Sequence, residues 1–365
     1  MSPHPNTAAF SAVRRSLLVG ATAGATGLLG LATPALALPT KALTFPRDRG
    51  AHPDFRTEWW YITGQASAAG RLFGFQLTFF RSRIDGTQTM QSKFAARQLL
   101  FAHAAITDVE SKKLWHDQRI SREGFGVAAS SETDMNIKLR DWSLQGNGGN
   151  YSAILPATDF GMRLQFSETQ AVLLQGKNGL SRKGPDEKQA SYYYSQPQLA
   201  ASGSLQIKGQ AFKVTGKAWL DHEWSEELLP KNATGWDWIG MNLDDGSALT
   251  AFRLRDKDGK AVWDGGSFRP AKGDIYPFSR GEVIFKPTRT WKSPLTQTTY
   301  PVEWIVRTPA DFYTVRAVID NQELDSRQST GSIYWEGLSE LIDSNGKRVG
   351  SGYLEMTGYA SPLKM

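Results

Sequence analysis

Between Phe212 and Trp224 apolar and polar residues change places at almost every step. Phe212, Val214, Gly216, Ala218, Leu220, His222 and Trp224 fall on one face. Lys213, Thr215, Lys217, Trp219, Asp221 and Glu223 fall on the other. A period of two means a strand with its first face turned to a core. The chain repeats the habit. Phe73, Phe75, Leu77 and Phe79 share a face in RLFGFQLTFFR, and VEWIVRT and YTVRAVID alternate later. DDGS, KDGK, SNGK and GNGGN have the chemistry of turns. Helical periodicity is scarce, with a short helix expected only around residues 92–100. Many short strands joined by such turns predict an all-β barrel or sandwich.

The 365 residues favour two units, and the chain carries an internal echo. EWWYITGQASAAGRLFGFQLTFFRSRIDG (58–86) resembles GWDWIGMNLDDGSALTAFRLRDKDG (235–259), so that Phe80, Arg81 and Arg83 match Phe252, Arg253 and Arg255. GKAWLDHEW (216–224) resembles GSGYLEMTGY (350–359), setting Trp219, Leu220 and Asp221 opposite Tyr353, Leu354 and Glu355. A Trp-led opening hairpin and an aromatic closing strand thus occur twice, in the same order. The expectation is two similar consecutive antiparallel β-barrel domains, 38–228 and 229–365.

The N-terminus reads as a leader, 1–37. Arg14 and Arg15 precede an apolar or small-residue stretch from Leu17 to Leu31, and Ala35-Leu36-Ala37 offers a cleavage site. The adjacent arginines suggest the twin-arginine route, so a periplasmic or secreted protein is expected. Removing both arginines takes the formal charge from +6 to +4. The basic residues are scattered among acids, so no nucleic-acid stripe appears. Cysteine is absent, which excludes a disulfide, a Cys-held zinc and a thiol nucleophile.

Chemistry concentrates in a few places. His222 and Trp224 follow the small residues Gly216 and Ala218 on the inward face, which leaves room for a cavity beside them. Asp221 is expected to face the other way, toward solvent, unless a bulge re-aims it. HPDFRTEWWYITG (52–64) packs His52, Asp54, Arg56, Glu58, Trp59 and Trp60 together, acids and an imidazole beside indoles. His103 alternates with Leu99, Phe101 and Ala105 and is expected to face inward. His116 is expected in a solvated, charged loop. YYYSQPQLAASG (192–203) either lines a cavity mouth or covers an edge strand. The candidate catalytic set is His222, Trp224, Asp221, Glu58 and Asp54. The candidate ligand-binding set is His52, Trp59, Trp60, His103, Tyr192, Tyr194, Trp236 and Trp238. The long spacing of His52, His103 and His222 does not mark a metal site, so no metal is predicted. Neither a G-x-S-x-G elbow nor a P-loop, H-E-x-x-H or Rossmann fingerprint is present.

Several motifs, in order, resemble the CrtC/AttH-like family of carotenoid 1,2-hydratases and secreted AttH-like proteins: HPDFRTEWWYITG, GKAWLDHEW, GWDWIGMNLDDGSALTAFRLR and YWEG…GYLEMTGY. The resemblance runs from Phe45 to Tyr359 and implies two consecutive lipocalin-like barrels. For the hydratase branch it implies cofactor-free addition of water to a terminal C=C, with its H-x-W element on His222 and Trp224. That branch carries Tyr-x-Asp on a following strand, where this chain reads SALTAFRLRD. Asp221, Asp54 and Glu58 are then the candidate proton donors. A hydratase needs a carboxylic acid of raised pKa in an apolar pocket, aromatic faces for a cation and a placed water. The AttH-like branch implies instead a carrier of a lipid or other hydrophobic ligand beside an ABC-type transporter. A secreted lipid-ester hydrolase is a third reading, which a Ser–His pair at hydrogen-bond distance would favour.

Overall fold

The computed structural model describes residues 37–227 and 229–363. The leader lies outside the described residues apart from its last residue, Ala37. The first sheet runs through β1 (Thr57–Ala68), β2 (Arg71–Arg83), β3 (Gln98–Asp108), β4 (Lys113–Arg122), β5 (Ala128–Ser130), β6 (Asn136–Leu139), β7 (Trp142–Asn147), β8 (Asn150–Pro156), β9 (Phe160–Ser167), β10 (Leu173–Leu174), β11 (Leu180–Arg182), β12 (Ala190–Ile207) and β13 (Gln210–Glu227). The second runs through β14 (Gly235–Leu243), β15 (Ala248–Arg255), β16 (Ala261–Arg269), β17 (Tyr276–Pro277), β18 (Ile284–Lys292), β19 (Thr299–Arg307), β20 (Phe312–Ala317), β21 (Glu323–Ser326), β22 (Ser332–Ile342) and β23 (Arg348–Met356).

The strand orders are β4-β3-β2-β1-β13-β12-β9-β8-β7-β6-β5 and β17-β16-β15-β14-β23-β22-β20-β19-β18. Each sheet curls antiparallel around its own apolar core, giving two lipocalin-like barrels. The four predicted turn segments all join neighbouring strands. Gly148 and Gly149 take φ of +57° and +87° between β7 and β8, the left-handed pair that a tight hairpin asks for. The sequence echo has a structural counterpart, because β2-β1-β13-β12 and β15-β14-β23-β22 run in the same order and sense.

Three cores follow from the alternation. Trp60, Ile62, Leu77, Leu220 and Trp224 fill the first barrel, and Ile239, Met241, Trp304, Trp335 and Leu354 the second. Their chain neighbours Tyr61, Trp219, Trp238 and Tyr353 form a third cluster between the two sheets. Each such buried side chain contributes about 2 kcal/mol through area removed from water. β13 shows the change along its length. Burial alternates at first, with Lys213, Thr215 and Lys217 exposed, and is then continuous from Ala218 to Ser225. From there the second sheet covers its outer face.

Three local expectations are corrected. Residues 92–97 form turn and loop and the strand β3 follows, so no helix forms there. Among the described residues the only helices are the 3-10 turns Arg47–Arg49 and Asp85–Thr87. The tyrosine-rich stretch covers no edge: β12 pairs with β13 on one side and with β9, β10 and β11 on the other. It takes up Pro197 at a register shift between Gln196 and Leu199. His116 lies in β4, half-buried, and not in a solvated loop.

Candidate functional site

The faces turned away from the two barrel cores enclose a cavity of about 550 Å³. Tyr61, Thr78, Phe80, Phe101, His103, Tyr193, Asp221 and Glu223 come to it from the first sheet. Trp236, Trp238, Phe252, Leu254, Tyr334, Glu336 and Glu355 come from the second. Residues two apart on a strand share a face, so one alternating segment per strand supplies these wall residues. A Cβ on Gly240 would sit 2.3 Å from the Trp238 ring and 3.2 Å from that of Trp219, so the absent side chain makes room for both indoles.

Three carboxyl groups stand on this aromatic wall. Asp221 accepts from Tyr193 Oη (2.8 Å), Ser195 Oγ (2.5 Å) and Trp219 Nε1 (2.7 Å). A carboxyl has about four lone-pair positions, so one is left for a proton. Burial raises its pKa to about 7 in spite of the three donors. Glu336 and Glu355 are direct cross-strand neighbours on β22 and β23. Burial raises Glu355 to about 7, with the charges of Asp221 and Glu223 adding to it. Burial, then the charge of Glu355, pushes Glu336 well above the usual carboxylate range. Glu336 Oε1 and Tyr61 Oη are buried without a close hydrogen-bond partner and lie near enough to act on each other, so a ligand there would compete with that pairing. Glu223 differs, being paired with Lys183 Nζ at 2.8 Å.

His103 stands on the same wall. Its Nδ1 meets Tyr334 Oη and its Nε2 meets Ser329 Oγ, both at 2.8 Å. Burial lowers its pKa to about 3, so the ring is neutral.

A second polar cluster lies inside the first barrel. Glu58 Oε1 accepts from His52 Nδ1 (2.7 Å) and His222 Nε2 (2.9 Å), while Oε2 accepts from Arg81 Nε (2.8 Å) and His52 N (2.9 Å). His52 Nε2 meets Asp48 Oδ1 at 3.0 Å, and Tyr194 Oη meets His222 Nδ1 at 3.2 Å. His52 stacks on Trp224 at 3.8 Å and His222 on Trp60 at 4.8 Å. Burial would raise Glu58, but the hydrogen bonds from His222 and His52 outweigh it and hold the carboxyl far below its usual range. Burial lowers His222 to about 4. Among the described residues His52, Glu58 and His222 have ligand atoms close enough for a metal ion. Those atoms already satisfy one another, and a guanidinium sits on the same carboxylate. The cluster therefore reads as a closed, charge-balanced network.

The predicted residues divide between these places. Trp59, His103, Trp236, Trp238 and Asp221 line the cavity. Asp221 is buried, not solvated, and it reaches the cavity without a bulge because the second sheet covers its face. His103 is buried on that same outer face and not toward the barrel core. His222, Trp224, His52, Trp60, Tyr192 and Tyr194 lie within the first barrel, away from the cavity. Glu58 borders the cavity but spends both oxygens in the closed network. Asp54 is exposed and lines nothing. Sequence reasoning missed Tyr193, Glu336 and Glu355. The repeat held a signal for Glu355, since it set that residue opposite Asp221.

The fold and the family agree with known proteins. A crystal structure of an AttH protein from Nitrosomonas europaea is 46% identical, covering 88% of this chain and 99% of that one, with a TM-score of 0.83. Kievitone hydratase from Nectria haematococca shares the fold at 12% identity over 88% of this chain and 94% of that one, TM-score 0.69. CghA does so at 12% identity over 90% of this chain and 96% of that one, TM-score 0.55. No protein of the curated set matches in sequence. The AttH-like family model matches residues 36–359, nearly all of the described chain, and the protein belongs to the AttH-like family.

Proposed function

We propose that this is an exported lipocalin-like protein whose inter-sheet cavity binds a bulky apolar ligand, an isoprenoid or polyene, and adds water to an isolated C=C of it without a cofactor. One observation carries the reading: three carboxyl groups on an aromatic wall, held protonated or close to it by burial. Protonating an unactivated alkene needs such an acid in an apolar site. The Asp221 O–H bond breaks as a C–H bond forms at one alkene carbon. Tyr193, Ser195 and Trp219 then hold the carboxylate left behind. The indole of Trp238 and the ring of Phe252 face the cation that develops. Water adds to the cationic carbon, and its surplus proton returns to the carboxyl cluster, so the site ends as it began. The shared fold with a hydratase supports this class of reaction, and the paired arginines Arg14 and Arg15 support export.

The test is to incubate the protein with acyclic isoprenoids and polyenes and look by mass spectrometry for the gain of one water. Turnover by the wild type, lowered by roughly 10²-fold or more in Asp221→Asn, is expected. The same unmodified ligand extracted from both proteins would replace the reading with a carrier, one that hands its ligand to an ABC-type transporter.

A specific observation also keeps ester hydrolysis in view. Ser329 Oγ lies 2.8 Å from His103 Nε2 on the cavity wall. The pair ranks second because burial makes His103 a weak base, and because a tyrosine, not a carboxylate, orients the ring. Labelling of Ser329 by a fluorophosphonate would promote it.

A further inference from the structure

Five of the ten exposed large apolar side chains of the described residues gather in one place. Met90, Phe94, Ile120, Phe125 and Val127 come from the β2–β3 loop, the edge strand β4 and the β4–β5 loop. Phe94 and Phe125, 62% and 56% exposed, stack at 5.5 Å with their rings nearly parallel. Cations interleave with them. The Arg122 guanidinium lies 4.2 Å from the Phe125 ring centre and donates to the Phe94 carbonyl at 2.5 Å. Lys93 Nζ lies 5.8 Å from the Phe94 ring centre, and Arg97 donates to the Met90 carbonyl. Arg140 N donates to the Val127 carbonyl and its guanidinium to that of Ile120.

The neighbouring acids do not answer these charges. Asp85 pairs with Arg83, Asp117 and Asp141 pair with Arg119, and Glu123 turns to Ser130. Aromatic side chains held in water amid cations that pair with no acid among the described residues match an interface that is apolar below and anionic above.

The patch is continuous with the cavity. Ile120 stands opposite Phe101 across β3–β4, and Phe101 stands opposite Phe80 across β2–β3. Directly opposed residues share a sheet face, and Phe80 and Phe101 line the cavity. An apolar row therefore runs from the patch inward.

We propose that this patch seats the protein on an anionic phospholipid surface, with the row Ile120–Phe101–Phe80 leading from the bilayer to the cavity. The inference stands whether or not the cavity catalyses a reaction.

Co-sedimentation with vesicles tests it. The protein is mixed with vesicles of equal parts phosphatidylglycerol and phosphatidylcholine, or of phosphatidylcholine alone. Partition onto the anionic vesicles should be about tenfold stronger or more, and should weaken as salt rises. Lys93→Glu, at an exposed position, should lower it about tenfold. Phe94→Ser with Phe125→Ser should lower it at least as much. Circular dichroism shows whether the double variant still folds; if it does not, Lys93→Glu alone decides. Equal partition onto both vesicle types, or unchanged binding by Lys93→Glu, overturns the proposal. So does a dimer in light scattering that the double variant abolishes while wild-type protein ignores vesicles, which would assign the patch to a second copy of the chain.

Discussion

Two buried carboxyl clusters lie on opposite faces of β1 and β13, Glu58 inside the barrel and Asp221 with Glu336 and Glu355 of the second sheet outside it, and they behave oppositely. Inside the barrel, each oxygen of Glu58 accepts two hydrogen bonds, one of them from a guanidinium. Between the sheets, Glu336 Oε1 accepts none and Glu336 faces another acid. Burial is nearly complete in both places. It penalises charge everywhere, and the number and sign of the neighbours decide whether the penalty is overcome. The barrel cluster is therefore ionised and structural. The cavity cluster holds its protons up to about pH 7 and can give them up there.

The largest effect should come from the barrel cluster. Glu58→Ala leaves the Arg81 guanidinium buried without its carboxylate, and should lower stability in urea unfolding by about 3–5 kcal/mol. A midpoint close to that of the wild type would remove the structural role given to Glu58. On the opposite face, Asp221→Asn should leave the chain folded while turnover drops by roughly 10²–10⁴-fold. Turnover by the wild type should also fall as pH rises through about 7, where Asp221 loses its proton.

Stability against pH separates the clusters further. The folded pKa of Asp221 lies above its unfolded value, so from about pH 4 to 7 the folded chain holds a proton that the unfolded chain has released. Its contribution therefore worsens as pH rises through that window and is constant above it. Asp221→Asn should gain on the wild type by roughly 2–4 kcal/mol between the two ends. Glu58 has the opposite sign: its contribution is whole above its unfolded value and is lost as pH falls below it. If the gap between wild type and Asp221→Asn stays flat with pH, the raised pKa is refuted. The smallest effect expected is that of zinc or a chelator on the melting temperature, because the ligand atoms of His52, Glu58 and His222 already satisfy one another. A rise with added zinc would turn that network into a metal centre.

Much of the architecture was legible because alternation and turn chemistry are local. The strand that carries LDHEW, the inward side of Leu220, His222 and Trp224, and the paired hairpins all follow from neighbours in sequence. The candidate site was only half legible. His222 and Trp224 face inward as expected, but inward is a filled core, whereas Asp221 on the supposedly wet face meets the cavity. Trp219 beside Asp221 was the hint, since an indole is an unusual choice for a solvent-facing position. The YYY stretch shows the same limit. Tyr192 and Tyr194 fill the first barrel and Tyr193, between them, lines the cavity.

What the sequence determined by itself was period, and with it strand, turn, face and the twofold echo. Period is fixed by backbone geometry, which needs no partner. What only the tertiary structure decided was the occupant of the far side of each face. Asp221 and Glu355 lie more than a hundred residues apart, and their shared loss of water arises only when the second sheet closes over the first. A pKa depends on that closure, because desolvation comes from every atom that packs nearby and not from neighbours in the chain.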